Sequence, residues 1–311
     1  MTQAVSELDV WIPDDTREEY LDLLGDLADL HRFPTGSVPS GPLGRGDMLV
    51  AGHHVRSVLA AIPLIDDLKV VQTFSAGVDT IVDAIPEGIT LCNATGVHDV
   101  GVAEWIVMAI IASNRDLPRH LERQRAGTWG RERVPGEDLD GATVLIVGHG
   151  SIGQAVEQRL APFGAKFVRV ARRGRDGIDP MESLASLVAD ADVVISLLPL
   201  TSETRGVFDA GVFARMRPRA LFVNASRGGV ADTDALVGAL GEHRIRAALD
   251  VTDPEPLPDG HPLWTAPGVL ITPHIAGDVR HEEDRAWQLV LDQIRRLSRG
   301  DELRNVVVDG Y

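Results

Sequence analysis

Residues 143–153 constrain the fold of this chain more than any other stretch. Val144 to Val147 are four consecutive apolar residues, the pattern of a strand buried on both faces, as the central strands of parallel sheets are. Gly148, Gly150 and Gly153 follow with the spacing G-x-G-x-x-G, and Gln154 to Leu160 carries a helical pattern. Each glycine answers a separate need. Gly148 allows the tight turn, Gly150 lets backbone approach a pyrophosphate, and Gly153 lets helix pack close to strand. The helix N-terminus then offers unpaired N–H groups and the positive end of its dipole to phosphates. In a chain with 31 glycines the spacing alone would suit a plain strand-turn-helix. Between a buried strand and a helix, it implies a dinucleotide site.

The rest of the chain reads as further alternating α/β structure. Strands are expected at Asp9 to Pro13, Met48 to Ala51, Leu68 to Thr73 and Ile89 to Cys92, and helices at Asp14 to Leu30 and Val55 to Ile65. Val102 to Asn114 is apolar and long enough to favour a buried helix, and the charged segment Arg123 to Asp140 reads as a loop. Beyond the glycine motif, strands are expected at Lys166 to Ala171, Asp192 to Leu198, Ala220 to Asn224, Ala247 to Val251 and Gly268 to Thr272. Helices are expected at Met181 to Ala189, Ala210 to Met216 and Thr233 to Gly241. This is a doubly wound parallel sheet. A helix from about Glu282 to Arg299 and the run Val306 to Val308 would return to the first unit. The expected fold is therefore α/β, with two Rossmann-like doubly wound domains. Residues 99–279 form the dinucleotide domain; residues 1–98 and 280–311 form a discontinuous substrate domain.

Composition narrows the partners. At 311 residues the chain has room for two domains, and 44% hydrophobic residues describe a globular protein. A net charge of −16 argues against a nucleic-acid surface. Cys92 is the only cysteine, which rules out an intramolecular disulfide or a thiolate cluster and fits a reducing cytoplasm. The first residues, 1–7, show no basic stretch leading into an apolar one, so no signal peptide is expected. Trp105 to Ala112 is too short for a membrane span. His53 and His54 lack companions at metal-ligand spacing and read as surface residues; no metal is expected.

Several linked segments resemble the D-isomer-specific 2-hydroxyacid dehydrogenase family. They are Asp140 to Gly153; Leu198-Pro-Leu-Thr-Ser-Glu-Thr-Arg-Gly206; Asn224-Ala-Ser-Arg-Gly-Gly229; Ala248-Leu-Asp-Val-Thr-Asp-Pro-Glu-Pro-Leu257; and Thr272-Pro-His-Ile-Ala-Gly277. Within the family, Asp250 to Pro258 and the chain length look most like glyoxylate/hydroxypyruvate reductases. The resemblance implies reduction of a small 2-keto acid to a D-2-hydroxy acid by NAD(P)H, in a homodimer built through the cofactor domain. Other members, such as phosphoglycerate- or phosphite-type dehydrogenases, are the alternative. A non-catalytic nucleotide-sensing protein, as in corepressors resembling this family, is the competing class.

Such a reduction needs a proton donor for the carbonyl oxygen, a cation for the carboxylate, and a group that tunes the donor. His274, behind Pro273 at the end of an expected strand, suits the first role, since histidine titrates near neutral pH. The resemblance makes Glu255 its carboxylate partner, which would stabilise the imidazolium. Arg227 follows the strand ending at Asn224, where a guanidinium can fork onto a carboxylate. The family's substrate loop matches Ser75, Ala76 and Gly77, with Arg227 and His274 as the other substrate contacts. The cofactor would be lined by Gly148, Gly150, Ser151, Ile152 and Gly153, by Leu198, Pro199 and Thr204, by Ala225 and Ser226, and by Asp250 at the nicotinamide carboxamide. Ser151 could add its hydroxyl to the pyrophosphate site.

Arg169, Arg172, Arg173 and Arg175 fall within seven residues. An NAD-specific fold places an acid roughly 20 residues past the fingerprint, on the ribose 2′-OH. Ala171 and Arg172 stand there instead, and Arg172 and Arg173 can bind a 2′-phosphate. NADP(H) is expected over NAD(H), which stays usable; a solvated charge run is the alternative. His149 reads as a turn residue, and Trp129 as packing within its loop in preference to reaching a neighbouring subunit's site.

Overall fold

The computed structural model describes residues 8–130 and 135–308. The residues on which the signal-peptide reading rests, 1–7, and residues 131–134 of the segment read as a loop lie outside the described residues. The chain divides into two compact units. One is formed by the residues up to His98 together with those from Arg280 onward, and the other is Asp99–Val279.

In the first unit five strands form one parallel sheet: β1 (Leu8–Pro13), β2 (Ala28–Phe33), β3 (Met48–Gly52), β4 (Val70–Thr73) and β5 (Thr90–Cys92), in the order β2-β1-β3-β4-β5. Helices α1 (Glu18–Leu24) and α2 (Val55–Ala61) connect them. Alternation along the strands sends Val10, Ile12, Met48 and Val50 to one core and Trp11, Leu49 and Ala51 to the other. The first core is closed by Ala286, Trp287, Val290 and Ile294 of the long C-terminal helix, which therefore belongs to this unit. The Val307 N–H donates to the Leu91 carbonyl at 2.9 Å, so the tail also finishes on this sheet.

One expectation fails here. The stretch Asp14 to Leu30 is not one helix: α1 stops at Leu24, and Leu30 lies in β2. Gly25 follows the helix, and Ala28 to Phe33 gains a ladder along β1 that a continued helix could not make. Tertiary pairing overrides the local helical pattern.

The second unit opens with α3 (Asp99–Asn114) and α4 (Leu117–Arg125). Its sheet comprises β6 (Thr143–Val147), β7 (Lys166–Ala171), β8 (Asp179–Pro180), β9 (Val193–Ser196), β10 (Leu221–Asn224), β11 (Arg246–Leu249) and β12 (Val269–Ile271). The order is β8-β7-β6-β9-β10-β11-β12, parallel throughout. Helices α5 (Ser151–Leu160), α6 (Leu184–Leu187), α7 (Ala210–Arg215) and α8 (Thr233–Gly241) complete it, and α9 (Glu282–Arg299) returns to the first unit. Helix α4 takes in Arg123 to Arg125, so the segment expected as a loop begins only after it. The expected helix Met181 to Ala189 is a short α-turn between two 3-10 turns.

The four apolar residues of β6 are all fully buried. Val144 and Ile146 pack with α3 and α5, while Leu145 and Val147 face the α7 and α8 side. At roughly 1.5–3 kcal/mol for each such side chain removed from water, this one strand anchors both layers. It is also the strand at which the connection direction reverses: β7 lies on one side of β6 and β9 on the other. The carboxyl ends of β6 and β9 therefore flank the switch point at which doubly wound sheets bind ligands. Among the described residues no helix is long and apolar enough to cross a membrane.

Candidate active site

Most of the residues singled out in the second unit emerge from one edge of its sheet. The fingerprint leaves β6, Arg172 and Arg173 follow β7, and Leu198 and Pro199 follow β9. Ala225, Ser226 and Arg227 follow β10, Asp250 follows β11, and His274 follows β12. A parallel sheet puts all these carboxyl ends on the same side.

The fingerprint glycines meet three different constraints. Gly148 has φ +102°, and a Cβ there would stand 2.6 Å from the Leu197 carbonyl oxygen. At Gly153 a Cβ would meet the Gly148 carbonyl oxygen at 2.8 Å, so α5 could not lie this close to the turn. A Cβ on Gly150 would meet nothing of the protein. The space beside that backbone is open, as an approaching pyrophosphate requires. Gln154 is the first residue of α5 whose N–H finds a main-chain acceptor, the Gly150 carbonyl, which leaves the N–H groups of Ser151, Ile152 and Gly153 for an anion. The Ser151 hydroxyl is already engaged, donating to Asp99 at 3.0 Å. What Ser151 offers a phosphate is its backbone.

His149 does more than fill a turn. Its Nε2 lies 2.8 Å from Glu157 of α5, and Glu157 is also gripped by Arg169 of β7. The hydrogen bonds from Arg169, against some desolvation, hold the Glu157 carboxyl below the usual carboxylate range. The four arginines are thereby sorted. Arg169 is consumed by Glu157, Arg175 donates to the His149 carbonyl at 3.1 Å, and Arg172 and Arg173 are exposed past the end of β7.

At the other end of the edge, His274 Nδ1 lies 2.5 Å from Glu255 Oε1. The imidazole is 47% exposed, so its second nitrogen is accessible. His274 has φ +56°, a left-handed conformation uncommon outside glycine and held here by Asp250. The Asp250 carbonyl takes the His274 N–H at 2.7 Å. The Asp250 carboxylate accepts the Thr272 hydroxyl at 2.6 Å and the N–H groups of Ile275 and Ala276 at 2.9 and 2.8 Å. Asp250 thus spends three carboxylate bonds on the loop carrying the histidine, a use that sequence reasoning missed. Thr272, two residues before His274, was the available signal.

Asn224 shapes the Arg227 turn, accepting from the Ser226 N–H and hydroxyl and donating to the Arg227 carbonyl. Arg227 Nη1 donates to the Ser226 carbonyl at 2.9 Å. Gly228 lies so close to the Thr252 carbonyl that any Cβ would collide with it. The turn carrying Arg227 is thereby pressed onto the segment leading to Glu255. Thr204 donates to the Pro199 carbonyl at 2.5 Å and accepts from the Thr201 N–H, closing its own loop. Leu198 is buried in the core.

A model of the D-isomer specific 2-hydroxyacid dehydrogenase NAD binding domain matches residues 107–276. The chain belongs to this dehydrogenase family. It is 34% identical over 272 residues to a D-3-phosphoglycerate dehydrogenase of Methanocaldococcus jannaschii, covering 84% of this chain and 51% of that protein. It thus spans about half the length of that relative. It is 37% identical over 225 residues to a glyoxylate reductase/hydroxypyruvate reductase of Mus musculus, covering 67% of each. Among solved structures, an NADPH-dependent glyoxylate/hydroxypyruvate reductase from Sinorhizobium meliloti, in complex with NADP and sulfate, superimposes with a TM-score of 0.83 at 26% identity. That match covers 98% of this chain and 100% of the other. The family's NAD(P) belongs to the Asp99–Val279 unit, and the open Gly150 backbone with the unpaired α5 amides fits a dinucleotide pyrophosphate.

The remaining candidates lie in the first unit. Ser75, Ala76 and Gly77 follow β4 at the carboxyl edge of that sheet. The Ser75 carbonyl is tied down, accepting from the Ala94 N–H at 3.0 Å and the Thr73 hydroxyl at 2.7 Å. Among the described residues, the N–H groups of 75, 76 and 77 meet no protein acceptor. Three successive amides without a protein partner are available to an anion. His53 and His54, read as surface residues, have acidic neighbours: His54 stands 3.0 Å from Asp15 and His53 3.8 Å from Glu282.

Proposed function

We propose that this protein is an NADPH-dependent reductase of a small 2-keto acid, forming the D-2-hydroxy acid. The observation that carries the reading is the Glu255–His274 pair, with one imidazole nitrogen on the carboxylate and the other accessible, at the edge where the sheet also presents its fingerprint. In this scheme the nicotinamide supplies the hydride when bound. His274 gives the proton to the carbonyl oxygen, Glu255 orients the ring, and Arg227 grips the carboxylate and polarises the keto group. The free amides of Ser75, Ala76 and Gly77 add to the carboxylate's binding. Ser226 and the fingerprint amides line the cofactor, and Arg172 and Arg173 take its 2′-phosphate.

Glyoxylate or hydroxypyruvate is the substrate suggested by Asp250 to Pro258. The phosphoglycerate dehydrogenase relative favours another member of the family equally, since 34% and 37% identity do not separate the two. NADPH oxidation followed at 340 nm, with glyoxylate, hydroxypyruvate and phosphohydroxypyruvate each offered in turn, decides between them. Silence across the panel despite tight NADPH binding would support a nucleotide sensor.

We also propose a homodimer through the cofactor domain in a reducing cytoplasm. Met108 and Ile111 of α3, Leu117 and Leu121 of α4, and Trp129 are all exposed apolar residues of that unit. Trp129 is 90% exposed, which corrects the expectation that it packs within its loop. A run of apolar side chains of this kind is what a second copy would cover.

A further inference from the structure

The amides of residues 75–77 can bind an anion only if the peptide planes preceding them are held with their carbonyls turned inward. Two of those carbonyls are fixed by identifiable partners. Ser75 is held by Ala94 and Thr73, as described, and the Phe74 carbonyl accepts from His98 Nε2 at 2.7 Å. A carbonyl oxygen can only accept, so Nε2 carries the proton in whichever state the ring adopts. His98 is itself held in place. Arg285 of α9 donates to the carbonyl of Val97 at 2.7 Å. Glu282, one turn earlier on α9, places Oε1 3.8 Å from the same imidazole nitrogen. Glu282 is only 9% exposed, and Oε1 has no hydrogen-bond partner, so this carboxyl group faces the imidazole across a short gap. The first turns of α9 therefore brace residues 97–98, and His98 braces the Phe74 peptide. That peptide's nitrogen side is the Ser75 N–H, the first of the three free amides.

We propose that His98 is a positioning residue for the substrate carboxylate, acting through the Phe74 carbonyl to aim the amides of Ser75, Ala76 and Gly77. It touches neither substrate nor cofactor. The proposal rests on the reading of residues 75–77 as the carboxylate loop, and it assigns a role to a histidine that neither the fingerprint nor the catalytic pair uses. Because the imidazole donates through Nε2 whether neutral or charged, its contribution is geometric. A side chain of similar reach with an N–H donor replaces it.

The test compares His98→Met, which keeps volume and removes the donor, with His98→Gln, which restores an N–H. Readouts are kcat and KM for the 2-keto acid, dissociation of oxalate from the enzyme–NADPH complex by fluorescence, the NADPH dissociation constant, and Tm. His98→Met raises KM and the oxalate dissociation constant about tenfold, as loss of one hydrogen bond that fixes a binding geometry would. It leaves kcat and NADPH binding near wild type, and His98→Gln recovers most of the loss. Unchanged KM in His98→Met, or no recovery in His98→Gln, overturns the proposal. Ala76→Pro, which deletes one of the three amides, tests the underlying reading separately. If it raises KM while His98→Met does not, the loop reading stands and His98 alone is removed. If Ala76→Pro folds and leaves KM and oxalate binding untouched, the loop reading falls and takes the proposal with it. If His98→Met does not fold, the same readouts on His98→Gln decide: wild-type-like KM supports the proposal, and a tenfold rise overturns it.

Discussion

Asp250 holds His274 from both sides: its carbonyl binds the histidine's own N–H, and its carboxylate binds residues 272, 275 and 276. The side chain is 3% exposed, so these bonds form away from competing water. The imidazole is kept in a left-handed backbone position that few non-glycine residues adopt. Asp250→Ala should therefore damage the site and the fold together. Leaving the donors unpaired should lower stability by about 1–3 kcal/mol, read as a fall in Tm. It should also lower kcat more than the NADPH dissociation constant rises. A variant with wild-type kcat would show that the loop holds its shape without the carboxylate.

His274→Ala removes the proposed proton donor and should lower kcat by about 10²–10⁴-fold, the usual worth of a positioned acid. Arg227→Ala should lower kcat and raise KM together, since in the proposed scheme its guanidinium both binds and polarises. Neither should change NADPH affinity measured by fluorescence. Full turnover in either variant would remove that residue from the mechanism.

Much of this site was legible in sequence because each part is local. The buried run Val144 to Val147, the fingerprint glycines and the segment ending at His274 carry their own signals within a few residues. The expected edge-of-sheet placement of Arg227 and His274 follows from counting strands. What sequence reasoning missed depends on contacts between distant segments. Glu157 binding both His149 and Arg169 is visible only once α5 lies over β7. The engagement of the Ser151 hydroxyl with Asp99 needs the start of α3 to reach the fingerprint. Strand β2 was hidden because the apolar spacing of Asp14 to Leu30 fits a helix, and only the ladder along β1 tells it apart.

Cofactor choice follows from the sorting of the arginines. With Arg169 committed to Glu157 and Arg175 to the His149 carbonyl, Arg172 and Arg173 stand exposed past β7, and the position expected of an acid holds none. The wild type should use NADPH more efficiently than NADH. In the double variant Arg172→Ala, Arg173→Ala, kcat/KM for NADPH should fall at least tenfold, about 1.4 kcal/mol, while that for NADH changes little. A wild type that prefers NADH would refute the assignment.

The His149–Glu157–Arg169 link should give the cofactor unit a pH-dependent share of its stability. The Glu157 carboxyl is held below its ordinary range chiefly by the Arg169 hydrogen bonds, so the folded state favours the ionised form. A carboxyl with a depressed folded pKa stabilises fully above its unfolded value, about 4.3, and that contribution is lost as pH falls through the folded pKa. Glu157→Gln should accordingly melt below wild type at pH 7, by an amount corresponding to roughly 1–2 kcal/mol for a partly exposed charged pair. The gap between the two melting curves should close as pH is lowered beneath about 4. Calorimetry from pH 3 to pH 8 measures it directly. A gap that stays constant across that range would mean that Glu157 acts by packing α5 and not by its charge.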